Sequence, residues 1–126
     1  MAFTNTLESL FHEVDNILED KYGHLYSLHP NRPERGATLN PEMDGLFEIA
    51  PDFTPGFGSV HGRGYRISMR IATLEQVPLS LREQLLAEIA LLVEERLPVF
   101  FPQREIRVVP DGNGFKIIGD FSLGEA

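Results

Sequence analysis

Between residues 64 and 97 the apolar residues change their period, and that switch limits what the chain can fold into. Behind Gly64, Tyr65, Ile67, Met69 and Ile71 fall at every second position, with Arg66, Ser68, Arg70 and Ala72 between them. A period of two is the pattern of a strand with one buried face. Beyond Pro78 the spacing turns helical: Leu81, Leu85, Leu86, Ile89, Leu92, Val93 and Leu97 form one stripe that must pack on apolar surface. The inner face of the preceding strand is the nearest such surface. The helix is expected to begin at Ser80, where Glu83 completes a capping box. It is expected to stop before Pro98, because a residue preceding proline avoids the helical region. Val99-Phe100-Phe101 follows as an apolar trio, either plugging the end of the core or, through Phe100 and Phe101, forming an interface.

A first helix is expected from a cap at Thr4 or Asn5, with Glu8 three residues after Asn5, to a stop at Gly23. Leu7, Leu10, Phe11, Val14, Ile17 and Leu18 give it an apolar stripe, and Glu8, Glu13, Asp15, Glu19 and Asp20 read as its solvated face. Residues 104–109 and 115–121 read as a hairpin, with Pro110-Asp111-Gly112-Asn113-Gly114 supplying the turn. Ile117 and Ile118 are adjacent on the return strand, so that strand is expected to be covered on both faces. Residues 24–29 and 46–49 read as short strands, with Pro51 and Pro55 stopping the second or confining it to a sheet edge. Residues 30–45, broken by Pro30, Pro33, Gly36 and Pro41, read as a long loop. The order α-(β)-β-β-α-β-β is an α+β fold: an antiparallel or mixed sheet of about 3–5 strands with two helices on one face. One domain spans 1–126, with a frayed tail at 122–126.

With 42% apolar residues among 126, the chain can bury a core and is not a disordered segment. It has no cysteine, which excludes disulfides, thiolate metal sites and cysteine nucleophiles. Residues 1–5 lack the basic and apolar regions of a secretory signal, and no stretch reaches the roughly 20 apolar residues that span a bilayer. These features imply a cytoplasmic protein with no membrane contact. The net charge is −8, and residues 1–60 carry −7 of it. Such a chain repels phosphate backbones, so nucleic acid is not an expected partner.

No motif carries chemistry. The glycine-rich stretch 56–64 has His61 where a dinucleotide fingerprint needs glycine, and a strand follows it instead of a helix. Ser59, His61 and Asp52 lack a nucleophile elbow. His12, His24, His29 and His61 have no metal-ligand spacing, so no metal and no cofactor is expected. The one notable basic feature is His61, Arg63, Arg66 and Arg70. Arg66 and Arg70 share the outer strand face, about 13 Å apart, which suits an extended acidic partner, or pairing with acids such as Glu105 and Asp120.

The element order resembles that of small acidic secretion chaperones, and the C-terminal helix and hairpin resemble baseplate-type assembly subunits. Sequence therefore leads to a non-enzymatic protein–protein interaction module: a small acidic adaptor, chaperone or assembly subunit, acting as a homodimer. The alternative is a small-molecule or anion-binding protein, or an enzyme, with its pocket at 56–64.

Overall fold

A computed structural model describes residues 3–56 and 62–119 of the chain. Helix α1 (Phe3–Tyr22) is followed by a long irregular segment containing one 3-10 turn (Pro41–Met43). Strands β1 (Phe47–Thr54) and β2 (Gly64–Ile71) come next, then helix α2 (Leu79–Phe100) and the hairpin β3 (Ile106–Asp111) and β4 (Gly114–Gly119). The four strands form one antiparallel sheet in the order β1-β2-β4-β3. This is the expected α+β class, with order α-β-β-α-β-β and both helices on one face.

The register sorts the two faces. Phe47, Ile49 and Pro51 of β1 lie opposite Ile71, Met69 and Ile67 of β2, and Tyr65 lies opposite Ile117 of β4. Paired residues point to the same side, so these build the inner face. There Phe47, Ile49, Ile67, Ile71 and Ile117 join Leu7, Leu10, Phe11, Val14 and Leu18 of α1 and Leu85, Ile89, Val93 and Leu97 of α2 in one core. Two ion pairs join α1 to α2 at the exposed surface, Lys21 with Glu88 and Arg96 with Glu13. Ile89 has no exposed surface, so Ile89→Val should cost about 1 kcal/mol in urea unfolding. An unchanged midpoint would place the stripe elsewhere.

Several local expectations are corrected. α1 already includes Phe3, so Thr4 and Asn5 lie inside the helix, and the Ser9 hydroxyl donates to the Asn5 carbonyl. α2 starts at Leu79 behind Pro78, with no side-chain cap from Ser80. It also runs through Pro98 to Phe100. A proline in the last turn withholds a single N–H, and Glu94, whose carbonyl loses that donor, is exposed to water. Residues 24–29 form no strand; the His29 N–H makes one bond to the Ala72 carbonyl.

Pro51 sits inside β1, which is tolerated because β1 is an edge strand. Pro110 likewise lies in the other edge strand, β3, and each proline removes an N–H from a strand with one open side. The β3–β4 turn is therefore shorter than expected: two residues, with Gly112 at φ +63° and Asn113 not positive, the pattern of a type II′ turn. β4, one of the two interior strands, is covered on both faces, with Lys116, Ile117 and Ile118 all buried.

Candidate functional site

The segment from Gly23 to Leu46 has almost no regular structure, yet it is ordered by a buried polar network. The helical period explains why the network forms on α1. Asp15 lies one turn beyond Phe11, at the margin of the apolar stripe, and Glu19 lies one turn beyond Asp15. The long segment packs over that margin, leaving Asp15 1% and Glu19 5% exposed. Neither belongs to a solvated helix face, which corrects the sequence reading of this helix.

Glu19 Oε2 accepts the Phe47 N–H at 2.8 Å. Two glycines make room for its carboxyl group. A Cβ on Gly23 would stand 2.8 Å from Glu19 Oε1, and one on Gly45, which also needs φ +75°, 2.5 Å from Oε2. Gly23 does end the helix, its N–H bonding the Glu19 carbonyl, but closeness to Glu19 rather than positive φ requires it. Asp44 Oδ2 accepts the Thr38 N–H and hydroxyl at 3.0 and 2.9 Å. The Ile49 backbone N–H favours the ionised form of Asp15, and Asp15 Oδ2 has no hydrogen-bond partner among the described residues. Burial, then repulsion from Glu19, pushes the Asp15 pKa up to about 8, with Arg32 pulling the other way. Burial also raises that of Glu19.

Arg32 holds the segment from its other side. Its Nη2 donates to the carbonyls of Glu42, Asp44 and Phe47 at 2.7, 3.0 and 3.1 Å, and its Nε to Gly45 at 3.0 Å. Its guanidinium also lines a cleft of about 380 Å³, whose wall comprises His29, Asn31, Arg32, Pro33, Thr38, Met43, Arg70 and Ala72. No carboxylate of the described residues stands in that wall. Glu48 lies 2.8 Å from Arg70 and 3.9 Å from Arg32, so two guanidiniums share one carboxylate. His29 Nδ1 accepts the Asn31 N–H, which puts the proton of the neutral ring on Nε2, as a donor. Pro33, Met43 and Ala72 supply an apolar side.

The expected basic strip divides. Arg70 belongs to this cleft and pairs with Glu48, its cross-strand neighbour. Arg66 pairs with Asp111 at 2.9 Å and lines a different cavity, with Leu79, Arg82 and Leu86. Pairing with acids is thus met by Glu48 and Asp111, while Asp120 lies outside the described residues. Arg63 is exposed ahead of β2. His61 and Ser59 lie outside the described residues, as does most of the stretch 56–64, while Asp52 is exposed on β1. Phe101 is in the core, its ring 4.7 Å from that of Phe3; Phe100 is half-buried against the core, and Val99 is the exposed member of the trio. Among the described residues no group of three or more histidines and carboxylates is arranged to hold a metal.

A family model described as "Uncharacterised protein" matches residues 1–119. The chain belongs to that family. The match ends at the last residue of β4 and so includes every element of the fold, the long segment with it. An "Uncharacterized protein" of Borreliella burgdorferi (strain ATCC 35210 / DSM 4680 / CIP 102532 / B31) is 40% identical over 119 residues, which cover 94% of this chain and 93% of that protein. No solved structure matches. No helix among the described residues is long and apolar enough to cross a membrane.

Proposed function

We propose that this protein is a non-enzymatic, cytoplasmic interaction module that captures an acidic segment of a partner protein, seating a carboxylate side chain in the cleft between the long segment and β2. One observation carries the reading. In a chain of net charge −8, Arg32 and Arg70 both face the Glu48 carboxylate at a cleft with no acid of the described residues in its wall. An excess positive charge beside apolar surface suits a carboxylate on a short aliphatic stem, which is the side chain of glutamate. Of the expected anion-binding residues, Arg70 takes part in this reading. His29 and Arg32 replace His61 and Arg63.

The test is titration of the protein with N-acetyl-tetraglutamate amide, with sulfate in parallel. The peptide should shift the Arg32 and Arg70 side-chain resonances and bind more weakly as salt rises. Arg70→Gln should abolish binding while changing stability by at most about 1 kcal/mol, since the Arg70–Glu48 pair is exposed. Sulfate binding as tightly as the peptide would favour a free anion as ligand. Indifference of both arginines to both probes would remove the reading.

A second surface favours the expected homodimer. Ala87, Ala90, Leu91, Val108, Pro110 and Phe115, with Glu94 as the charged member, line a mostly apolar groove of about 360 Å³ between α2 and the hairpin, and Leu91 is exposed there. Knob and groove on one surface suit a two-fold contact, and the prolines in both edge strands disfavour association by strand addition. Sedimentation of the wild type and Leu91→Arg decides it: a wild-type monomer removes the dimer.

A further inference from the structure

We propose that Asp15, Glu19 and Asp44 form a proton-operated latch behind the cleft: with Asp15 neutral the cleft is held together and cationic, and with Asp15 ionised it releases an acidic partner. The proposal rests on the reading of the cleft as an acidic-segment site and adds its regulation.

The geometry links the two places. Arg32 faces the cleft and clamps the carbonyls of residues 42, 44, 45 and 47. From the other side, Glu19 takes the Phe47 N–H, and the Ile49 N–H favours the charge of Asp15. Latch and cleft thus share one stretch of backbone. Asp15 Oδ2 is buried and without a partner among the described residues, and Asp15 borders a cavity of about 210 Å³ together with Asn16, Arg35, Thr38 and Asp44.

The charged groups around Asp15 come from two elements. On α1, Glu19 repels its ionised form. On the long segment, Asp44 repels it and Arg32 attracts it, while Arg35, at the same cavity, is engaged by Asp20. β1 contributes the Ile49 N–H, which favours the charged form. Burial outweighs these, and Asp15 titrates near 8. Ionisation then has two effects of the same direction. It places a negative charge against Arg32, which weakens the attraction of the cleft for a carboxylate. It also sets a third carboxylate beside Glu19 and Asp44, which loosens the backbone that Arg32 and Glu19 hold.

The experiment uses the full chain and the tetraglutamate probe, whose own carboxylates stay ionised throughout. Binding is measured by anisotropy of labelled peptide at about pH 6.5 and about pH 9 and at constant ionic strength, with the Asp15 carboxyl carbon followed by NMR. Wild-type affinity should fall on the order of tenfold, one pH unit's worth of proton linkage, with the midpoint at the Asp15 titration. Asp15→Asn, the shape of the neutral acid, should bind as wild type at the lower pH and keep that affinity at the higher one. Asp44→Asn should move the midpoint to lower pH. A flat wild-type profile, or an equal fall in Asp15→Asn, overturns the latch. Absence of peptide binding at both pH values overturns the cleft reading instead. The latch is then judged by hydrogen exchange at Gly45 and Phe47: a rise in opening with pH in the wild type but not in Asp15→Asn sustains it, and equal exchange overturns it.

Discussion

Replacing Arg32 by methionine should cost about 3–5 kcal/mol, the range for breaking a buried charged network by removing one partner. The methionine keeps the aliphatic stem, so little packing is lost. What disappears is the donor to four carbonyls, those of Glu42, Asp44, Gly45 and Phe47. The cation nearest Asp15 in effect, and one of two serving Glu48, disappears as well. Buried carbonyls without donors are costly. The other ties of the stretch nearest Arg32 are the 3-10 turn, Thr38 on Asp44 and the Gly45 N–H on the Pro33 carbonyl, while Ser27 on Glu75, His29 on Ala72 and Arg35 on Asp20 and Asn16 hold the segment farther off. Urea unfolding gives the total. Hydrogen exchange locates the loss: Gly45 and Phe47 should lose protection while α2 keeps its own. A change under about 1 kcal/mol with protection intact would show that the carbonyls find other donors.

How much of this was legible in the sequence differs element by element. β2 and α2 were, because their two periods are uninterrupted and the same residues that set the period also fill the core. Ile67, Ile71, Leu85, Ile89, Val93 and Leu97 are all buried as the spacing requires. The hairpin was legible from its turn, although Pro110 belongs to the strand. Pro98 misled locally, because the cost of a proline depends on whether its missing N–H had a buried acceptor, and sequence alone does not show that; Pro51 does lie in an edge strand, one of the two outcomes it allowed.

The long segment was not legible, and neither was the site. Its order comes from bonds between Arg32 and carbonyls at least ten positions away, and between Glu19 and an amide 28 positions away. No local pattern encodes such pairings. One hint was present. Asp15 stands at the angular edge of the stripe set by Phe11, Val14 and Leu18, and an acid there is either partly covered or displaces its neighbours from the core. Reading all five acids of the helix as one solvated face overlooked that angle. Arg66 and Arg70 were rightly placed on the outer face, but strand spacing could not show that each has its own carboxylate and its own cavity.

Asp15→Asn should raise stability at neutral and alkaline pH, and the sign follows from the titration. The unfolded carboxyl titrates near 3.8 and the folded one near 8. Over that interval the folded state holds a proton that the unfolded state has released, so the contribution of Asp15 to stability is complete below the lower value. It is lost progressively as pH rises to the upper one. Each pH unit in the window costs the wild type up to about 1.4 kcal/mol. Relaxation around the cavity and water entering it reduce the total, leaving an expected difference on the order of 2–4 kcal/mol near pH 8. The asparagine carries no titrating proton, retains an oxygen for the Ile49 N–H, and matches the neutral acid in shape. Glu19, also raised by burial, slopes the same way, and Glu88, lowered by its bonds to Lys21 and Tyr22, slopes the opposite way. Both remain in the variant, so the difference between the two proteins reports Asp15 together with its coupling to Glu19. Urea midpoints at about pH 4.5, 6.5 and 8.5 give that difference directly. It should widen with pH; curves that run parallel would mean that Asp15 is ionised in the folded protein and that its Oδ2 has found a partner in water.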